Sequence, residues 1–413
     1  MTSPPDALPA AAVPGAAAPP RMGRTAAALV LALLMGLQPV TTDVYLPALP
    51  MLTRALGAPV SLAQLTMSAL ILAFGIAQMV WGPVADRVGR RPVLLAGLAL
   101  YTSASAGCAL AGSIEALVLW RVLQGAAMAA AVVCARAIVR DLYEPTAGAQ
   151  VMALALTGLG FIALAGPLCG GLLAQAFGWR GPLVLVTAVG AGSLLLIALC
   201  LPETLVTPNP AATQWRALLR TWVGIARHRV FRSWALLVAC TYGGLFTVLA
   251  SSSFVFMDVL GLSPAAYGGA MALGSVSYIA GTFACRRLIG RHGMVATVRR
   301  GGWFTLAAAA VALLIALLEL RSPEMVLLAY CLFAFGHGHH QPCGQAGVVA
   351  PFPRSAGAAS ALAGLLLALV AFGIGRWLGW ALDGSVRPLA AGLAFWSLLT
   401  CTLAWTLVPR AAR

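Results

Sequence analysis

Gly82-Pro-Val-Ala-Asp86-Arg87-Val-Gly89-Arg90-Arg91-Pro92 lies between two apolar runs, 62–81 and 92–112. Each run is close to the ~20 residues that a helix needs to cross a bilayer. So short a charged connection turns one spanning helix directly into the next. Asp86 and Arg90 are four residues apart, so a helical turn brings them together. Gly82 and Gly89 permit tight backbone turns between closely spaced helices. Asp141 ends a later apolar run on the same side, within reach of Arg90 or Arg91. A bias of arginine to one side of a membrane explains Arg87, Arg90 and Arg91 but neither Asp86 nor the glycines, so the cluster reads as a gate.

Further out, apolar runs recur over 25–47, 62–81, 92–112, 116–139, 148–174, 182–201, 233–256, 265–285, 302–320, 324–348, 356–380 and 389–408, which predicts twelve spanning helices. The run 324–348 is interrupted by His, Gln, Pro and Gly. The longest polar connection, 202–232, opens with Pro202, Pro208 and Pro210, as a linker does. Within it Trp215, Leu218, Leu219, Trp222 and Val223 recur at helical spacing, which predicts a helix lying at the membrane interface. It divides the chain into six-helix halves, 25–201 and 233–408, flanked by a disordered Pro/Ala-rich tail, 1–24, and a short tail, 409–413. Arg286-Arg-Leu-Ile-Gly-Arg-His-Gly293, with Arg299 and Arg300 following, takes the place in the second half that 82–92 takes in the first. Such halves read as parallel repeats around a midplane site.

Composition agrees with an all-α polytopic membrane protein. Of 413 residues 61% are hydrophobic and 9% charged, against about 25% charged in a soluble domain. Mean hydropathy is +0.92. All 26 basic residues are arginine. Without lysine there is no P-loop ATPase and no Schiff-base chemistry. Work on a solute then draws on an ion gradient or on the solute's own gradient, unless a separate subunit hydrolyses ATP. The net charge of +15 points to no nucleic acid, because cytoplasmic loops of membrane proteins collect arginine. With the N-terminus inside, nineteen arginines face the cytoplasm and four the other side, while Arg121, Arg136 and Arg376 fall within runs. Both termini are therefore expected to be cytoplasmic. The nine cysteines lie in apolar stretches and read as packing residues rather than a disulfide framework.

These residues also carry a resemblance. Gly82-x-x-x-Asp86-Arg87-x-Gly89-Arg90-Arg91 resembles the loop 2–3 signature of the major facilitator superfamily. Thr42-Asp43-Val-Tyr45-Leu-Pro47-Ala-Leu-Pro50 resembles the first-helix signature of its twelve-helix drug:proton antiporters, most of all the bicyclomycin/chloramphenicol-resistance (Bcr/CflA) branch. Arg121-x-x-Gln124-Gly125 resembles the family's buried-arginine motif, and Gly166-Pro167-x-x-Gly170-Gly171 its antiporter motif. Where that motif often has glycine four residues before Gly-Pro, this chain has Ile162. Pro353-Arg-Ser-Ala-Gly357-Ala-Ala-Ser-Ala-Leu-Ala-Gly364 also looks like this branch. The likeness covers about 25–408 and implies a major facilitator fold in a bacterial inner membrane. It further implies that the loop cluster latches the halves when the cytoplasmic side is closed.

Asp43 is the one acid deep in a run, on a helix face with Gly36, Pro39 and Pro47. A charge there costs roughly 2.5–3.5 kcal/mol on insertion scales, so it should face a cavity or a partner. We assign it the coupling proton. Arg121 enters its run from the outer side, which predicts similar depth for the two, and burial and a nearby cation act on a carboxyl in opposite senses. Glu115, Glu144, Glu203, Glu319, Glu324 and Asp383 sit at run ends or in loops, with Asp258 intermediate. Pro167 with the small stripe Gly166, Gly170 and Ala174 allows a kink and close helix contact. Tyr45, Gln124, Tyr242, His340, Gln341 and Gln345 are assigned to a substrate cavity. His337, His339, His340 and Cys343 split between two helix faces with no acid in the run, so neither metal nor cofactor is expected.

The reading is proton-driven efflux of small amphipathic compounds, antibiotics among them, by a non-enzyme whose partners are substrate, protons and membrane lipid, acting as a monomer. The same fold also serves exporters or importers of amino acids or sugars. An intramembrane enzyme is disfavoured by the lack of His-Glu-x-x-His, Gly-x-Ser-x-Gly and paired carboxylates at catalytic spacing.

Overall fold

A computed structural model describes residues 23–411. Most of the N-terminal tail expected to be disordered, and the last two residues, lie outside the described residues. The described chain is helical, with no strand. α1 begins as Arg24–Asp43 and continues through a 3-10 turn, Leu46–Ala48, into Leu49–Ala55. Then follow α2 (Val60–Val88), α3 (Arg90–Leu110), α4 (Ile114–Leu142), α5 (Pro145–Phe177) and α6 (Arg180–Cys200). A linker helix, Trp215–Arg227, leads to α7 (Arg229–Ser253). Pro264–Leu318 is continuous except at Gly293, whose φ of 75° turns the chain, so it makes two passes, α8 (264–292) and α9 (294–318). α10 (Pro323–Val349), α11 (Ala356–Ala381) and α12 (Arg387–Trp405) complete the fold.

Among the described residues ten segments are long and apolar enough to cross a membrane. The turn at Gly293 divides one of them into two passes. α10 falls short in apolarity because of its histidines and glutamines, yet it packs along α7 and the α8–α9 segment as a full-length helix. Several span ends expected from hydropathy move outward. The first pass ends at Ala55 rather than near 47, because Pro47 and Pro50 each open a new helical segment, where proline's missing N–H takes no bond. The connection after α8 is itself helical on both sides of Gly293.

The two-fold plan shows in the packing. α1 packs on α5, α2 on α4 and α3 on α6, and six helices later α7 packs on α11, α8 on α10 and α9 on α12. The halves meet along two seams, α2 against α11 and α5 against α8. Both are built on small residues. A Cβ on Gly75 would strike Ala368, one on Gly375 would strike Ser68, and one on Gly171 would strike the Pro264 carbonyl. Shape complementarity of this kind is what holds helices together where lipid is as apolar as the side chains. The α2–α11 seam is tight from Ser61–Gly379 to Gln78–Gly364 and then ends: Gly82 faces only Val133 of α4, and nothing lies within 4 Å of a Cβ built on Gly357. The halves are thus closed at the arginine-poor end and parted at the arginine-rich end.

Candidate functional site

α1 loses its regular α-helical pitch just after Asp43, which places the carboxylate twelve residues from the end of the pass at Ala55, about 18 Å inside. Between Leu34 and Val44, the residues Met35, Gln38, Pro39, Val40 and Asp43 are partly exposed. Thr42 Oγ1 donates to Asp43 Oδ1 at 2.7 Å, and among the described residues no cation pairs with this acid. Tyr242, Tyr267 and Tyr330, all from the second half, lie within its electrostatic reach. A Cβ on Gly166 would sit 3.2 Å from that of Asp43, so the antiporter motif packs directly against the acid.

Arg121 is fully buried but does not meet Asp43. Its guanidinium lies over the Tyr45 ring, 3.5 Å from the centroid, and Nη1 donates to Gln124 Oε1 at 2.9 Å and to the Thr41 carbonyl at 3.3 Å. Gln124 in turn donates to Ser105 Oγ at 2.7 Å, and the Tyr45 hydroxyl meets Thr66 Oγ1 at 2.8 Å. The expected pairing fails for an angular reason. Thr41 and Tyr45 are four apart and face α4, whereas Asp43, two residues from either, points to the opposite side. Tyr45 and Gln124 are therefore corrected from cavity lining to a buried network around the arginine.

His340 is corrected likewise. It is fully buried, with Nε2 3.5 Å from Thr305 Oγ1 of α9. His337 Nδ1 meets Thr241 Oγ1 of α7 at 2.8 Å, and His339 Nδ1 donates to the Phe335 carbonyl at 2.9 Å. The three imidazoles diverge, because successive residues on a helix point about 100° apart. Tyr242, Gln341 and Gln345 stay partly exposed. Arg136, given no role by sequence, is the one exposed residue of α4 between Gln124 and Val139, and it shares the inner face with Arg121.

At the arginine-rich end the loop folds around Arg90, which is almost wholly buried. It binds Asp86 at 2.6 Å and Asp141 at 2.9 Å. The four-residue pair forms across a break rather than within a helix, since α2 stops at Val88 and α3 starts at Arg90. Glu203, read as a plain span-end acid, organises the turn. Its carboxylate accepts from the backbone N–H of Arg90 and Arg91, the first turn of α3, at 2.9 and 3.0 Å, and from Thr204 and Leu205. Partial burial opposes ionisation, but these four bonds together hold the carboxyl below its ordinary range. Gly89 is required here: its φ is 112°, and a Cβ would press on Glu203. The linker joins in, with Asn209 N donating to the Asp86 carbonyl at 2.9 Å and Arg87 to Thr213 Oγ1 at 2.8 Å. Each of these contacts lies within the first half and its linker.

The opposite end carries the contacts that join the halves. Gly170 packs on the Val44 carbonyl of α1, while Gly171 and Pro167 pack on Pro264 and Gly268 of α8, so the motif forms both faces of α5. Ile162, where the family pattern often has glycine, lies against Gly36 of α1; the small residue has moved to the facing helix. Arg54 pairs with Asp258 across the halves, and Gln64 Nε2 donates to the Ala250 carbonyl at 2.6 Å.

A family model described as Major Facilitator Superfamily matches residues 31–376. The chain belongs to the major facilitator superfamily. Among its relatives in that superfamily, Multidrug resistance protein D of Escherichia coli is 28% identical over 350 residues, covering 81% of this chain and 84% of that protein. The Chloramphenicol resistance protein of Pseudomonas aeruginosa is 31% identical over 289 residues, covering 69% and 66%. The crystal structure of the peptide transporter POT in complex with alafosfalin superposes with a TM-score of 0.74 at 18% identity, covering 96% of this chain and 97% of that one, a likeness of fold. The superfamily's fold therefore places Asp43, the loop cluster and the two seams in a multi-pass membrane transporter.

Proposed function

We propose that this protein exports small amphipathic compounds, antibiotics among them, across a bacterial inner membrane in exchange for protons. The carrying observation is Asp43: an unpaired carboxylate midway along the first pass, partly exposed between the halves and packed on the antiporter motif. Resistance-named relatives support the substrate class. With the arginine-rich end in the cytoplasm, the parted ends of the halves open inward, a reading supported by the open space around Gly357. Substrate enters past Arg136 and settles among Tyr242, Gln341 and Gln345, and its arrival favours release of the Asp43 proton. The halves then rock, the Arg54–Asp258 end parts, and the loop cluster of Asp86, Arg87, Arg90, Arg91 and Asp141 latches the closed cytoplasmic side. Protonation of Asp43 from outside resets the cycle, and one chain suffices for it.

The test is a drug-susceptibility panel in a pump-deficient host, with and without a protonophore. Expression should raise tolerance to several amphipathic antibiotics, and the protonophore should erase the gain. A panel with no change, alongside counterflow of an amino acid or sugar in proteoliposomes, would transfer the assignment to metabolite transport.

A further inference from the structure

At the arginine-rich end of the second half, a groove of about 550 Å3 opens between the start of α9 and the end of α12, lined by Ala296, Arg299, Arg300, Trp303 and Trp405. Its walls are fixed. Trp405 Nε1 donates to the Arg299 carbonyl at 2.9 Å, and its ring lies 4.9 Å from that of Trp303. Gly302 leaves room for this, because a Cβ there would stand 2.8 Å from Trp405 Nε1. Arg300 donates to His292 at 2.7 Å. Both arginines are exposed, and no described acid pairs with either. Between Glu203 and Glu319 the chain has one acid, Asp258, at the opposite end.

Trp303 is 64% exposed and lies about one turn deeper than the arginines. From it an exposed apolar stripe runs down α9 through Ala310, Leu314 and Leu317, spaced seven, four and three. Cations at the mouth, tryptophans at interface depth and an apolar track below match, in that order, a phosphate headgroup, a glycerol backbone and acyl chains. We propose that this groove binds one anionic phospholipid of the arginine-rich leaflet. A soluble anion has no use for the stripe, and a zwitterionic lipid brings a cation that the arginines repel.

The experiment is native mass spectrometry of the full-length protein in detergent, with phosphatidylglycerol, phosphatidylcholine or glycerol phosphate added. Wild type should retain one phosphatidylglycerol in preference to phosphatidylcholine, unmoved by excess glycerol phosphate. Arg299→Gln/Arg300→Gln should weaken retention about 30-fold, from about 1 kcal/mol per arginine near an anionic surface. Arg286→Gln/Arg287→Gln, at the same end but outside the groove, should leave it unchanged. If the first pair fails to insert, Trp303→Leu, at an exposed site, should still lower retention. Equal retention in wild type and groove variants, equal retention of phosphatidylcholine, or displacement by glycerol phosphate would overturn the proposal.

Discussion

Asp43 and Arg121 show how much two residues of separation decide on a helix. The same turn sends Tyr45 under the Arg121 guanidinium and Asp43 into the space between the halves. Different losses follow. Asp43→Asn imitates the protonated acid, so it should abolish uphill efflux while sparing insertion and substrate binding, and Asp43→Glu should keep some transport. Proteoliposomes under an imposed pH gradient read both, and an Asn variant that still builds a wild-type gradient would move the proton elsewhere. Arg121→Ala should instead lower thermal stability by about 1–3 kcal/mol, because Gln124 and Tyr45 lose the cation they surround. Equal melting of that variant and wild type would mean that Arg121 does not hold the buried network together.

The loop between α2 and α3 separates into a strong and a weak half. Arg90 and Asp141 are 3% and 14% exposed, whereas Asp86 is 43% exposed. Asp86→Ala should therefore change stability by only about 0–1 kcal/mol and act mainly on transport rate, while Arg90→Ala strands Asp141 and should destabilise by about 3 kcal/mol. Comparable melting temperatures for the two would contradict this. Glu203 caps α3, so Glu203→Gln should destabilise by about 1 kcal/mol at neutral pH. Its folded pKa is depressed below the ordinary 4.5, so the stabilisation is complete above that value and is lost as pH falls towards the folded one. The difference between wild type and variant should accordingly shrink in acid.

At the scale of the molecule, two glycine-lined seams and one ion pair set which end is shut. Arg54 and Asp258 are 63% and 35% exposed, so the pair is worth about 0–1 kcal/mol and its removal should shift the conformational population up to about fivefold. Arg54→Ala should increase labelling of an outer-cavity cysteine, and the swap Arg54→Asp/Asp258→Arg should return it toward wild type; unchanged labelling in the single variant would remove the pair from the gate. Orientation is checked by reporter fusions: 208 and 293 should read cytoplasmic, and 57, 179 and 262 periplasmic. Opposite sides for 208 and 293 would break the two-half arrangement.

The number of passes, their repeat and the charge bias between the two ends were legible in the sequence, because a bilayer reads hydropathy and arginine position almost locally. Asp43 stood out for the same reason: one acid in an apolar run is costly wherever the helix points. What faces what was not local. The loss of Tyr45, Gln124 and His340 from the cavity, the turn of Arg121 away from Asp43, and the shift of a small residue from position 162 to Gly36 all depend on rotations between helices distant in the chain. Glu203 was hidden because it binds backbone N–H groups, which every sequence offers alike; its one signal was an acid on an arginine-crowded side. Local chemistry thus determined the passes and the proton-bearing candidate, and only tertiary packing, which fixes each helix's rotation about its axis, decided their partners.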